Sequence, residues 1–147
     1  MKIAIGCDKL GIDLKNLLIS VFSEKGHEFT DFGVGPSEDI DYPDIGKEVA
    51  AAVAEKKFDR GILICGTGIG MCITANKVKG AYAAVCHDLY STQRSILSNN
   101  ANIMCIGALV VGPATAQALT DIWLDLTFKD GRSTPKIQKI YAMEQGK

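Results

Sequence analysis

Three observations predict an α/β fold with one parallel sheet covered on both faces. Short apolar runs recur along the chain and read as strands; stretches with apolar residues at helical spacing separate them; and the alternation continues without a linker, a low-complexity tract or a fixed-period repeat. A strand followed by a helical crossover places the next strand parallel to it, and right-handed crossovers put helices on both sides. The expected architecture is a three-layer sandwich around a five-stranded, Rossmann-like sheet, in a single domain over residues 1–147.

Each element can be justified in turn. Lys2 to Cys7 (KIAIGC) is a short apolar strand, and Leu10, Leu14, Leu17, Leu18, Val21 and Phe22 then follow at helical spacing, closed by Gly26. Glu28 to Phe32 is the second strand. Gly33 to Pro43, rich in Gly, Pro and Asp, is a loop of the kind that covers sites. Ile45 to Lys56 is a helix, Arg60 to Cys65 the third strand, and Met71 to Lys77 continues a helix that starts among the glycines after Cys65. Ala81 to Cys86 is the fourth strand, Tyr90 to Leu97 a helix, and Ile103 to Gly107 the fifth strand. Gly112-Pro113 opens a helix over Ala114 to Leu126. A last helix, Pro135 to Met143, stands outside the rhythm, and its apolar Ile137, Ile140, Tyr141 and Met143 need a surface to cover, either the sheet's own helices or, as expected here, a neighbouring subunit.

A net charge of -1 and a pI near 6.1 lack the basic footprint of a nucleic-acid binder, so small molecules and protein partners are expected instead. The five cysteines are odd in number and lack a CxxC spacing, which suits reduced thiols in a cytoplasmic protein. No apolar run reaches the ~18 residues of a membrane span, and Met1-Lys2-Ile3 opens a strand rather than a signal peptide.

The chemistry concentrates in Gly61 to Lys77, GILICGTGIGMCITANK. Residues just after a parallel strand sit at the carboxyl edge of the sheet, where open α/β folds bind ligands, so Cys65 is placed at that edge. Gly66, Gly68 and Gly70 expose main-chain amides near a helix amino terminus, an arrangement that suits an anion. A P-loop is excluded because GxxxxGK[ST] is absent, and a dinucleotide fingerprint because its third glycine falls on Met71. Cys65 is therefore the candidate base or nucleophile, while Cys72 reads as core packing and Cys7, Cys86 and Cys105 as structural. Asp8 ends the first strand as Cys65 ends the third; it shares that pocket or caps the helix after it. His87 and Asp88 have the same two readings. No pair among Cys7, Cys65 and His87 has metal-ligand spacing, so no metal is expected. Arg132 and Lys136, four residues apart, either clamp a phosphate or form a solvated basic face.

KIAIGCD at the start, Asp41-Tyr42-Pro43, ILICGTGIG with Ala75-Asn76-Lys77, the pair Asn99 and Asn102, and Gly131-Arg132 occur in that order. With these motifs the whole chain resembles the ribose-5-phosphate isomerase B family, which includes the galactose-6-phosphate isomerase subunits. The resemblance implies cofactor-independent interconversion of aldose and ketose phosphates by a homodimer or homotetramer with shared active sites. Carried over, Cys65 is the base, the amides of Gly66, Gly68, Ile69 and Gly70 hold enediolate oxygens, and Thr67 orients the sugar oxygens. Asp8 binds hydroxyls, Lys9 and Tyr42 line the pocket, Asn99 comes from the other subunit, and Arg132 and Lys136 hold the phosphate. Lys9 and Ser98 stand where the ribose-5-phosphate enzymes usually carry histidines, the second of which opens the sugar ring; Ser133 replaces the histidine of a late Gly-Arg-His. Serine is a poor substitute for an imidazole near neutral pH. Three expectations follow: a substrate that needs no ring opening, such as a tetrose 4-phosphate; a cysteine-bearing subunit that needs a different partner chain; or ring opening of another pentose or hexose phosphate by His87 or Lys9.

Overall fold

The computed structural model describes residues 1–146. Strands β1 (Lys2–Cys7), β2 (Glu28–Asp31), β3 (Arg60–Cys65), β4 (Ala83–Val85) and β5 (Ile103–Gly107) form one wholly parallel sheet in the order β2-β1-β3-β5-β4. Helices α1 (Ile12–Glu24), α2 (Tyr42–Ala54), α3 (Ile69–Ala75), α4 (Leu89–Leu97), α5 (Pro113–Asp125) and α6 (Thr134–Met143) complete the expected sandwich. One face of the sheet, with Ile3, Ile5, Ile62, Ile64 and Met104, packs against Leu18 and Phe22 of α1, Ile96 of α4 and Trp123 of α5. The other, with Ala4, Leu63, Ile103 and Cys105, packs against Val49 and Val53 of α2 and Met71 and Ala75 of α3. Such near-continuous apolar strands are what burial on both faces demands.

Where boundaries differ from expectation, a side chain or a cap is responsible. The first helix is entered through a 3-10 turn, Lys9–Gly11, because the Asp8 carboxylate accepts from the Leu10 amide at 3.0 Å. α2 starts at Tyr42 rather than Ile45, with Pro43 in its first turn where a missing N–H costs nothing. β4 is shorter than Ala81 to Cys86 because the Tyr82 amide donates to the Asn102 side chain at 2.8 Å instead of to a strand. The outer edge of β4 is closed by Asn76, whose side-chain amide accepts from Ala83 N and donates to Ala83 O, both at 2.9 Å. One amide thereby pairs the edge as a further strand would.

Arg60 ties the start of β3 to the end of α5. Its guanidinium lies 4.8 Å from the Trp123 ring centroid and donates to the carbonyls of Trp123 and Leu126, which the helix leaves unsatisfied. α6 docks partly on its own chain: Ile137 is buried, the Tyr141 ring lies 4.8 Å from that of Tyr82, and Glu144 accepts from Gly80 N and Tyr82 Oη. Ile140 and Met143 of the same helix stay exposed.

The strand order reverses direction between β1 and β3, which are neighbours although β2 lies between them in sequence. A crevice opens at the carboxyl ends of strands at such a reversal. Cys7 is in register with Ile64, and the Asp8 amide donates to Ile64 O at 3.2 Å, so Asp8 and Cys65 leave the sheet side by side.

Candidate active site

At that crevice Asp8, Tyr42, Cys65, Gly66, Thr67, Ile69, Gly70 and Ile73 line a cavity of about 450 Å³, enough for a small phosphorylated metabolite. Eight positions from three separate segments converge there because β1, β3 and α2 all deliver their ends to one edge. A smaller adjoining hollow of about 160 Å³ shares Asp8 and Tyr42 and is bounded by Lys9 and by Asp39 to Asp41 of the preceding loop. Lys9 Nζ pairs with Asp39 Oδ1 at 2.9 Å, so the loop expected to cover a site does border this one.

Cys65 is the last residue of β3, and its side chain is buried. The Gly68 amide donates to Cys65 Sγ at 3.1 Å. That amide can point back at the sulfur because Gly68 has φ +75, a left-handed conformation that a side chain would oppose. Gly68 precedes α3 as its cap, which places the sulfur beside the free amides of the helix start. The other two glycines answer to space rather than to backbone conformation. A Cβ on Gly70 would stand 2.6 Å from the Tyr42 ring, and one on Gly66 would stand 3.0 Å from Leu10. Tyr42 therefore packs against the cradle at Gly70 and walls the cavity. Thr67 Oγ1 accepts from Ile69 N at 3.3 Å, a long bond that leaves the hydroxyl free to turn toward a ligand.

Asp8 satisfies both of its sequence readings: Oδ1 caps the 3-10 turn while the residue lines the cavity. Asp88 serves as the cap of α4, accepting from Ser91 N at 2.7 Å, and this bond holds its carboxyl below the ordinary value. His87 is engaged elsewhere, its Nε2 accepting from Gly107 N at 2.8 Å, and burial lowers its pKa. Asn99 does not reach the Cys65 cavity within one chain; it lines a separate cleft of about 430 Å³ with Tyr82, Ser91, Arg94 and Ile140. Arg132 and Lys136 are exposed at the start of α6 and line neither cavity.

Cys72 packs against the core as expected, but it is not an inert thiol. It is half-buried, and its pKa is lowered to about 7, chiefly by a hydrogen bond from Cys105 and also by Asn76. Burial instead raises Cys7 and Cys86 to about 11 each, as inert structural thiols require. One wall residue escaped the sequence reading. Ile73 is an exposed apolar side chain four residues after the expected Ile69 on α3, a spacing that signals one face but not which face is wet. Among the described residues no group of His, Cys, Asp and Glu is arranged to hold a metal, and no helix is long and apolar enough to cross a membrane.

The family model described as Ribose/Galactose Isomerase matches residues 3–140. The chain belongs to this isomerase family. A ribose-5-P isomerase B of Listeria innocua is 53% identical over 99% of this chain and 98% of its own length. A D-erythrulose-4-phosphate isomerase of Pectobacterium atrosepticum is 49% identical over 95% of this chain and 93% of its own length. The structure of Clostridium thermocellum ribose-5-phosphate isomerase B superposes with a TM-score of 0.96 at 44% identity, covering 99% of both chains. The parallel sheet is the fold these relatives share.

Proposed function

We propose that this isomerase interconverts the aldose and ketose forms of an open-chain sugar phosphate, a tetrose 4-phosphate above all, with Cys65 as the base. The observation that carries the reading is the buried Cys65 sulfur at the mouth of a cradle of main-chain amides inside the Asp8–Tyr42 cavity. Cys65 Sγ takes the proton from the carbon beside the carbonyl and returns it to the neighbouring carbon. The enediolate formed between the two steps is held by the amides of Gly66 to Gly70, donors set in place before charge develops. Thr67 Oγ1 and Asp8 hold the hydroxyls between which protons must pass.

The choice of substrate rests on position 98. Ser98 caps the end of α4 and supplies no imidazole. A phosphate on O4 leaves a tetrose no hydroxyl with which to close a furanose, so no ring has to be opened. Two relatives named as D-erythrulose-4-phosphate isomerases support this, at 49% and 43% identity.

Among the described residues, those that line the cavity include no Lys or Arg for the phosphate. Exposed Ile69 and Ile73 line it, and exposed Leu10 and Leu109 lie beside Gly66, an apolar surface suited to a second copy of the chain bringing Asn99, Arg132 and Lys136. The alternative is a different partner chain in a heteromeric isomerase. One panel separates these readings: purified protein is assayed with tetrose, pentose and hexose phosphates, beside Cys65→Ala and Ser98→His. Tetrose phosphate turnover lost by at least about a thousandfold in Cys65→Ala is expected. Ser98→His should raise turnover of ring-closed substrates alone. Full activity of the alanine variant would refute the base, and an inactive wild-type chain would favour the heteromeric reading.

A further inference from the structure

We propose that His87 is a positioning residue for the amide cradle, acting through Gly107 from two strands away. The proposal rests on the reading of that cradle as the enediolate site. β4 runs out of ladder at Val85, with Cys86 N donating to Cys105 O at 3.0 Å as the last strand-like bond. Gly107, at the end of β5, therefore has an inward-facing amide and no β4 carbonyl opposite it. The His87 imidazole takes the place of that carbonyl, Nε2 accepting from Gly107 N at 2.8 Å. A buried main-chain donor without such a partner is costly, so this bond decides where the turn after β5 sits.

That turn is the back wall of the cradle. Gly107 is in register with Cys65 and touches Thr67 so closely that a Cβ would lie 2.6 Å from the Thr67 carbonyl carbon. The next two amides carry on the contact: Ala108 N donates to Cys65 O at 2.8 Å and Leu109 N to Gly66 O at 3.0 Å. The peptide planes of residues 65 to 67 are thus fixed from behind by 107 to 109, and these in turn by His87. Because Nε2 accepts, neutral His87 carries its proton on Nδ1. Burial favours that neutral form, and Asp88, the one charged group acting on it, opposes this. Protonation would remove the acceptor and release the turn.

The test compares His87→Leu, which deletes the acceptor, and His87→Asn, one methylene too short to reach, with His87→Gln, whose Oε1 can replace Nε2. The substrate is D-erythrulose 4-phosphate, and Gly107 amide exchange is followed by NMR in the ligand-free protein. The loss variants should lower kcat about tenfold with KM within about twofold, since displaced rather than deleted oxyanion donors cost less than the ~10²-fold of an outright loss. They should also accelerate Gly107 exchange about tenfold or more, and His87→Gln should restore both readouts. A loss variant with wild-type kcat, or exchange at Gly107 unchanged, overturns the proposal. If wild-type protein and Cys65→Ala prove equally active, the cradle reading fails on its own, and Gly107 exchange still decides whether His87 holds the turn.

Discussion

The most demanding test of the cradle is a single methyl group on Gly107. In Gly107→Ala the new Cβ would meet Thr67 C, O and Cα at 2.6, 2.7 and 2.8 Å, all main-chain atoms that no rotamer change can move. Ordinary contact begins at 3.4 Å, so the strand end or the cradle must retreat by about 0.8 Å. At Gly107 β5 is held by the β3 ladder on one side and by the His87 imidazole on the other, whereas residues 66 to 68 are a turn, and the turn is the part that yields. Overpacking of this kind costs about 1–3 kcal/mol, and each kcal/mol lowers Tm by about 2–4 °C in a domain of this size. A donor shift near 1 Å is worth up to ~10² in rate, so kcat should fall about 30- to 100-fold with KM little changed. Steady-state kinetics on D-erythrulose 4-phosphate and a thermal melt measure the two effects independently. A folded Gly107→Ala protein with kcat within twofold of wild type would show that the amides after Cys65 are not the transition-state donors.

Three further outcomes are expected. Burial lowers the pKa of both His87 and His27, so the unfolded chain binds their protons first; their contribution to stability is complete above the unfolded value of 6.5 and is lost as pH falls below it through the folded values. Melts between pH 7.5 and 5 should therefore fall in Tm, with a shallower fall in a His27→Gln, His87→Gln double variant, and a Tm that rises on acidification would contradict the sign. Thiol mapping with iodoacetamide at pH 8 should modify Cys72, at about 7, well before Cys7 and Cys86, at about 11; equal labelling of the three would refute the ordering. Lys15 Nζ, on a side chain 5% exposed, pairs with Asp31 at 2.7 Å, and Asp31 also accepts from Gly33 N. Asp31→Ala strands that ammonium and should cost about 2–3 kcal/mol in urea unfolding, below the ~3–5 of a wholly buried pair because Asp31 is partly wet. A cost under about 0.5 kcal/mol would mean that Lys15 finds water instead.

Much of this molecule is legible along the chain. β1, β3 and β5 begin and end at the residues where their apolar runs do, because strands buried on both faces tolerate nothing else. Cys65 before its glycines was readable for a related reason: a strand end, a turn and a helix start each leave a local composition signal. The short β4 was not readable, since Asn102, distant in sequence, takes the Tyr82 amide. Nor was the reason for each glycine, since three alternate residues look alike in a string. Only the folded chain distinguishes Gly68, which needs its left-handed turn, from Gly70, which needs room for Tyr42.

The sequence by itself determined the sandwich, the strand that aims Cys65 and the family to which the chain belongs, all of them consequences of local pattern and motif. Tertiary structure alone decided that Asp8 and Cys65 emerge side by side, that Asn99, Arg132 and Lys136 stand outside their cavity, and that His87 braces the turn behind the cradle. These depend on strand order and on register between segments far apart in the chain, quantities that no local pattern encodes.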